Sequence, residues 1–182
     1  MTAPTSGILV ARGPLDASLD DGRAALPKET GGILLGFRTP DLVVVTRLLT
    51  VPDPRSSRHS YRRRRRHAQD QMAAARTDDA GAVGYVGEWH THPADQPPSR
   101  TDLRALAATA RLAAGPVALL VLAYPAAGPE ILHGLVAVRQ PWPIPAISPV
   151  DFATGALTIT DDTADSLEAE AAALLPQTEG TR

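Results

Sequence analysis

From Gly7 to about residue 140, short β-branched and aliphatic runs alternate with stretches whose apolar residues recur at helical spacing. That alternation points to an α/β domain built on a single mixed sheet flanked by helices. A strand at Gly7 to Ala11 precedes a stretch in which Leu15, Leu19 and Ala24 to Leu26 fall near one helical stripe, ending before Pro27. "GGILLGFR" and "DLVVVTRLLT", parted by the turn residues "TPD", read as an antiparallel hairpin. "VPDPRSSRHS" is a loop, and "SYRRRRRHAQDQMAAAR" carries helix formers in its C-terminal half. "AVGYVGEWHTH" is a strand stopped by Pro93. The stripe Leu103, Leu106, Ala107, Ala110 and Ala114 then marks a helix, and "VALLVLAY" and "EILHGLVAVRQ" are two further strands.

The chain has 182 residues, enough for one domain with a real core, and its character changes near residue 140. We therefore expect a domain over residues 1–140 and an extension over 141–182. The extension opens with the proline-rich "PWPIPAISP" and carries seven acids from Asp151 to Glu179, and Leu167, Ala171, Leu174 and Leu175 mark a short helix in it. The absence of cysteine excludes disulfides, a thiolate nucleophile and a cysteine zinc site, so any metal must be held by nitrogen and oxygen. A formal charge of -2 gives no general attraction to nucleic acid or membrane. The longest apolar run, Val117 to Tyr124, is far shorter than the roughly 20 residues of a membrane span, and "MTAPTSGILVARG" has no basic leader. These features make a cytoplasmic location the expectation.

The stretch "GEWHTHPADQPPSRTD" carries the chemistry. Alternate residues of a strand share a face, so His90 and His92 project together from Cα atoms roughly 6.6 Å apart, close enough to converge on one ion. Pro93 ends the strand, a loop turns the chain, and Ser99 begins a helix whose first turn holds Asp102. Three such ligands would leave a fourth tetrahedral position for water, as in a catalytic rather than a structural zinc site. "SRTD" is also a capping box, which accounts for Ser99 and Asp102 without a metal, though the two are compatible, because Ser99 can cap the helix while Asp102 faces the ion. A zinc hydrolase further needs a carboxylate to manage the proton of water. Glu88 alternates onto the face of His90 and His92, and Glu29 in "PKETGGILLG" lies about sixty residues upstream. Spacing favours neither.

"ETGGILLG", followed by "HTHP" and then "SRTD", resembles the JAMM (MPN-plus) metalloprotease family, and "GEWHTHP" is similar to its prokaryotic JAB-domain branch. The likeness spans roughly Gly7 to Gln140. It implies a cytidine-deaminase-like fold, with a mixed sheet between helices. It also implies one zinc ion per chain on His90, His92 and Asp102, Glu29 as general acid/base and Ser99 as the donor that steadies the oxyanion. The implied activity is hydrolysis of a peptide or isopeptide bond, after the C-terminus of a ubiquitin-like protein with an extended tail. The loop "PADQPP" is one residue shorter than the family's usual connection, while Ser99 and Asp102 keep their mutual spacing. Deaminase activity is excluded, because it needs a Cys-x-x-Cys zinc half-site.

Two other classes stand beside the peptidase: a zinc hydrolase of a small molecule, and a non-catalytic MPN-type binding domain, which typically lacks the full ligand set present here. The six arginines from Arg58 to Arg66 read either as a solvated surface or as a patch for an acidic partner, such as the acidic extension itself. With Tyr61 as the one aromatic residue beside them, nucleic-acid binding is not expected.

Overall fold

The computed structural model describes residues 7–61, 83–154 and 156–174. The run Arg62 to Arg66 and the helix expected after it lie outside the described residues. The described elements are β1 (Gly7–Ala11), α1 (Arg12–Ala25), β2 (Gly31–Arg38), β3 (Leu42–Thr50), β4 (Gly84–His92), α2 (Arg100–Leu112), β5 (Val117–Ala123), β6 (Ile131–Arg139), β7 (Val150–Ala153), β8 (Ala156–Thr160) and α3 (Ala164–Leu174). A 3-10 turn at Pro145–Ile147 precedes β7. All eight strands join one mixed sheet in the order β7-β6-β5-β4-β2-β3-β1-β8. β4 pairs with β5 in parallel, β1 is parallel to both β3 and β8, and the other neighbours are antiparallel.

Every residue of β5 is buried, because strands flank it on both sides and helices cover both faces. On one face Leu15 of α1 packs with Ile8, Val45, Trp89, Leu120 and Leu122. On the other, Leu106 and Ala110 of α2 cover Leu119, Val121 and Leu135. Leu167 of α3 packs on Ala11 and Val44 of the same face. The α2 and α3 footprints leave between them a strip over β2 and β4. An extra residue at Val86, where Gly87 pairs with Leu34 but Tyr85 with Leu35, shifts the phase of β4. Val86 and Trp89 thereby face α1, while His90 and His92 face the strip.

The segment 141–174 supplies both edges of the sheet, with β7 on β6 and β8 on β1. Two of its acids pair with arginines in the first half of the chain. Arg12 pairs with Asp161, and Arg47 forks onto the buried Glu168 with Nε–Oε1 2.9 Å and Nη2–Oε2 2.5 Å. No helix among the described residues is long and apolar enough to cross a membrane.

Candidate metal centre

His90 and His92 end β4, and Asp102 stands in the first turn of α2. Their side chains meet at one point. The two Nε2 atoms are 3.1 Å apart, His90 Nε2 is 3.6 Å from Asp102 Oδ1, and His92 Nε2 is 3.7 Å from Asp102 Oδ2. Ligands on a tetrahedral zinc at about 2.0 to 2.1 Å lie roughly 3.3 to 3.4 Å from one another; the two histidine nitrogens are close to that edge, and one atom from each of the three residues falls within 4.8 Å of the others. The donor set therefore fits zinc in element type and number, with its atoms gathered on one spot.

The surroundings set the state of each donor. His92 Nδ1 lies 2.8 Å from the Gln96 carbonyl, which can only accept, so Nδ1 carries the proton and neutral His92 offers its Nε2 lone pair. Sequence reasoning had no access to this contact, since it uses a backbone oxygen and depends on loop shape. Ser99 N–H donates to Asp102 Oδ2 at 2.6 Å and Asp102 N–H donates to Ser99 Oγ at 3.3 Å, which completes the capping box. One carboxylate thus serves both ends: Oδ2 closes the cap, and Oδ1 faces His90 Nε2. Burial acts to raise the Asp102 pKa, but hydrogen bonding to His90 and Ser99 outweighs it and holds the carboxyl well below the usual range. Ser99 is exposed and uses its oxygen as the cap acceptor, so its hydroxyl proton remains available to donate.

Glu29 reaches the centre through strand register. Gly31 pairs with His90, and Thr91 N–H donates to Thr30 O at 2.8 Å, so Glu29 falls opposite His92 on the shared face. Its own N–H donates to Ser57 O at 2.8 Å. Glu29 is 9% exposed, and burial raises its carboxyl pKa, partly offset by the fields of His90, His92 and His59. Glu88 shares the face but lies further back along β4, where it accepts from the Tyr85 hydroxyl at 3.0 Å. The double glycine has two separate reasons. A Cβ at Gly31 would meet Trp89 O at 2.4 Å and His90 Cβ at 2.8 Å, and one at Gly32 would meet Leu49 O at 1.8 Å.

A mixed sheet covered on both faces, with two strand histidines and a helix-cap aspartate brought to one point, is the architecture of a JAB domain. Residues 13–135 match the prokaryotic homologs of the JAB domain, and the chain belongs to that family. Among individual relatives, a Vibrio cholerae protein named CD-NTase/cGAS isopeptidase is 40% identical over 80 residues, 42% of this chain and 51% of that protein. An Escherichia coli protein of the same name is 35% identical over 78 residues, 42% of this chain and 50% of that protein. The chain thus spans about half the length of the curated relatives it matches. In three dimensions it is similar to the solution structure of protein DSY2949 from Desulfitobacterium hafniense, with TM-score 0.59 and 18% identity over 88% of this chain and 97% of that one. That likeness is one of fold alone.

Proposed function

We propose that the chain is a zinc isopeptidase that cleaves a peptide or isopeptide bond at the extended C-terminal tail of a protein substrate. The observation that carries this reading is the convergence of one ligand atom each from His90, His92 and Asp102 within 4.8 Å of one another, beside the buried carboxyl of Glu29. Bound on those three ligands, one zinc ion per chain supplies Lewis-acid polarisation of the scissile carbonyl and a lowered pKa for water. Glu29 takes the proton of the attacking water and returns it to the leaving amine, a task suited to a carboxyl whose pKa burial has raised. The Ser99 hydroxyl donates to the developing oxyanion, a contribution that can reach about 3 kcal/mol. Gln96 holds the His92 ring in its ligating tautomer. All of these residues precede residue 140, so the division at 140 separates the chemistry from an extension that completes the sheet.

The isopeptidase name of the two relatives supports a protein conjugate as substrate and a CD-NTase as the conjugated protein, in place of or alongside a ubiquitin-like protein. The test is cleavage of two matched conjugates, one built on a CD-NTase tail and one on a ubiquitin-like tail, with and without chelator. Cleavage of either that stops with chelator and in His92→Ala supports the proposal. Cleavage of neither by the zinc-loaded chain overturns it.

A further inference from the structure

A cleft of about 390 Å³ opens beside the candidate centre. Its described lining includes Leu26, Pro27, Arg58, Pro93, Tyr124 and Pro125. His90, His92, Asp102 and Glu29 are not among the lining residues, yet the cleft adjoins them through the chain. Pro93 follows His92, and Tyr124 N–H donates to His92 O at 2.9 Å. Ser57 O accepts the Glu29 N–H, His59 lies within the electrostatic reach of the Glu29 carboxyl, and Arg58 between them lines the cleft. Three consecutive loop residues thus connect the Glu29 carboxyl to the wall of the cleft.

The chemistry of the wall is uneven. Arg23 is bound by both Asp20 and Glu130, a cluster with one negative charge in surplus. Arg58 makes no side-chain hydrogen bond or ion pair among the described residues, and it shares the wall with Leu26, prolines, the Tyr124 ring and the Arg23–Glu130 pair. Leu26 is 38% exposed, an aliphatic side chain turned to the opening instead of the core. On the Arg58 side of the cleft, a guanidinium beside prolines, Leu26 and the Tyr124 ring complements a segment that pairs an aliphatic residue with a carboxylate.

We infer that this cleft is a substrate subsite that selects an acidic residue next to an apolar one in the protein segment flanking the scissile bond, with Arg58 as the specificity-determining residue. The inference rests on the hydrolase reading of the adjoining centre, and its test is made independent of catalysis. Two labelled peptides, identical except that a leucine is followed by glutamate in one and lysine in the other, are titrated by fluorescence anisotropy against the full, metal-free chain. The wild type binds the glutamate peptide at least about fivefold tighter at low salt, and the difference shrinks toward unity near ~0.5 M salt, where charges are screened over a few ångströms. Arg58→Glu reverses the order of the two peptides, and Ala126→Trp, which fills the cleft from its exposed rim, weakens both. Equal binding of the two peptides by the wild type, binding of neither, or an unchanged preference in Arg58→Glu overturns the inference. Cleavage of the matched conjugates is scored separately. A charge preference without any cleavage sinks the hydrolase reading alone, and cleavage without a charge preference sinks the subsite alone.

Discussion

Gly31→Ala tests the link between strand packing and the metal centre. The added Cβ would stand 2.4 Å from Trp89 O, 2.8 Å from His90 Cβ and 2.8 Å from Tyr61 Cε1. Ordinary contact begins near ~3.5 Å, so β2 and β4 must part by about 1 Å, or His90 must move by a comparable amount. Two of the three neighbours cannot yield by rotating a flexible end, since one is backbone and one is the root of a ligand. Overpacking of this kind costs about 1 to 3 kcal/mol, and a chain of this size loses roughly 2 to 4 °C of melting temperature per kcal/mol. Metal sites tolerate displacements of only about 0.5 Å, so zinc affinity should fall about 10- to 100-fold, the range seen when a ligand's support is removed. The assay is competition with a chromophoric chelator, paired with thermal unfolding of the metal-free protein. Gly84→Ala is the control on the same strand, because no atom of the described residues lies within 4 Å of its added Cβ. If Gly31→Ala keeps both zinc affinity and melting temperature at the level of Gly84→Ala, the register that brings Glu29 and His90 together is wrong.

Glu29→Gln should lower turnover by about 10² to 10⁴ with zinc retained, and Glu88→Gln should act more mildly; parallel rate and zinc measurements decide, and the reverse order would reassign the base. The same substitution has a stability signature. Folding raises the Glu29 pKa, so this group favours the folded state at low pH and the benefit is lost as pH rises through the raised value. Metal-free Glu29→Gln should accordingly melt above the wild type at neutral pH, with the gap closing toward pH 4. Asp102 has the opposite sign: its contribution is present above the ordinary 3.8 and is lost as pH falls, so Asp102→Asn should destabilise the metal-free chain most at neutral pH. Glu168→Ala removes the buried carboxylate that Arg47 forks onto beneath α3 and should cost about 3 kcal/mol in denaturant unfolding, a loss that Glu168→Gln only partly repeats.

Local chemistry made much of this molecule legible in advance. The His-x-His pair follows from the two-residue period of a strand, Ser99 and Asp102 from the capping box, and β2–β3 from turn residues between β-branched runs. Sheet order was not legible, because β1 lies parallel to β3 and β8, and neither pairing leaves a mark in the spacing of side chains. For the same reason the extension, read from composition as proline-rich and acidic, gave no sign that it supplies both sheet edges. Spacing also left Glu29 and Glu88 level. Both sit on the correct face, and only the pairing of Gly31 with His90 brings Glu29 opposite His92 while Tyr85 engages Glu88. Gln96 acts through its carbonyl, which every residue type possesses.

The most direct test of the central claim is a zinc titration of the chelator-stripped chain, followed by cleavage of a tail conjugate. The account predicts that cleavage returns in proportion to added zinc and saturates at one equivalent per chain. It also predicts that His90→Ala, His92→Ala and Asp102→Ala show no such saturation. Cleavage that persists in the stripped chain, or that returns equally in all three variants, would contradict it.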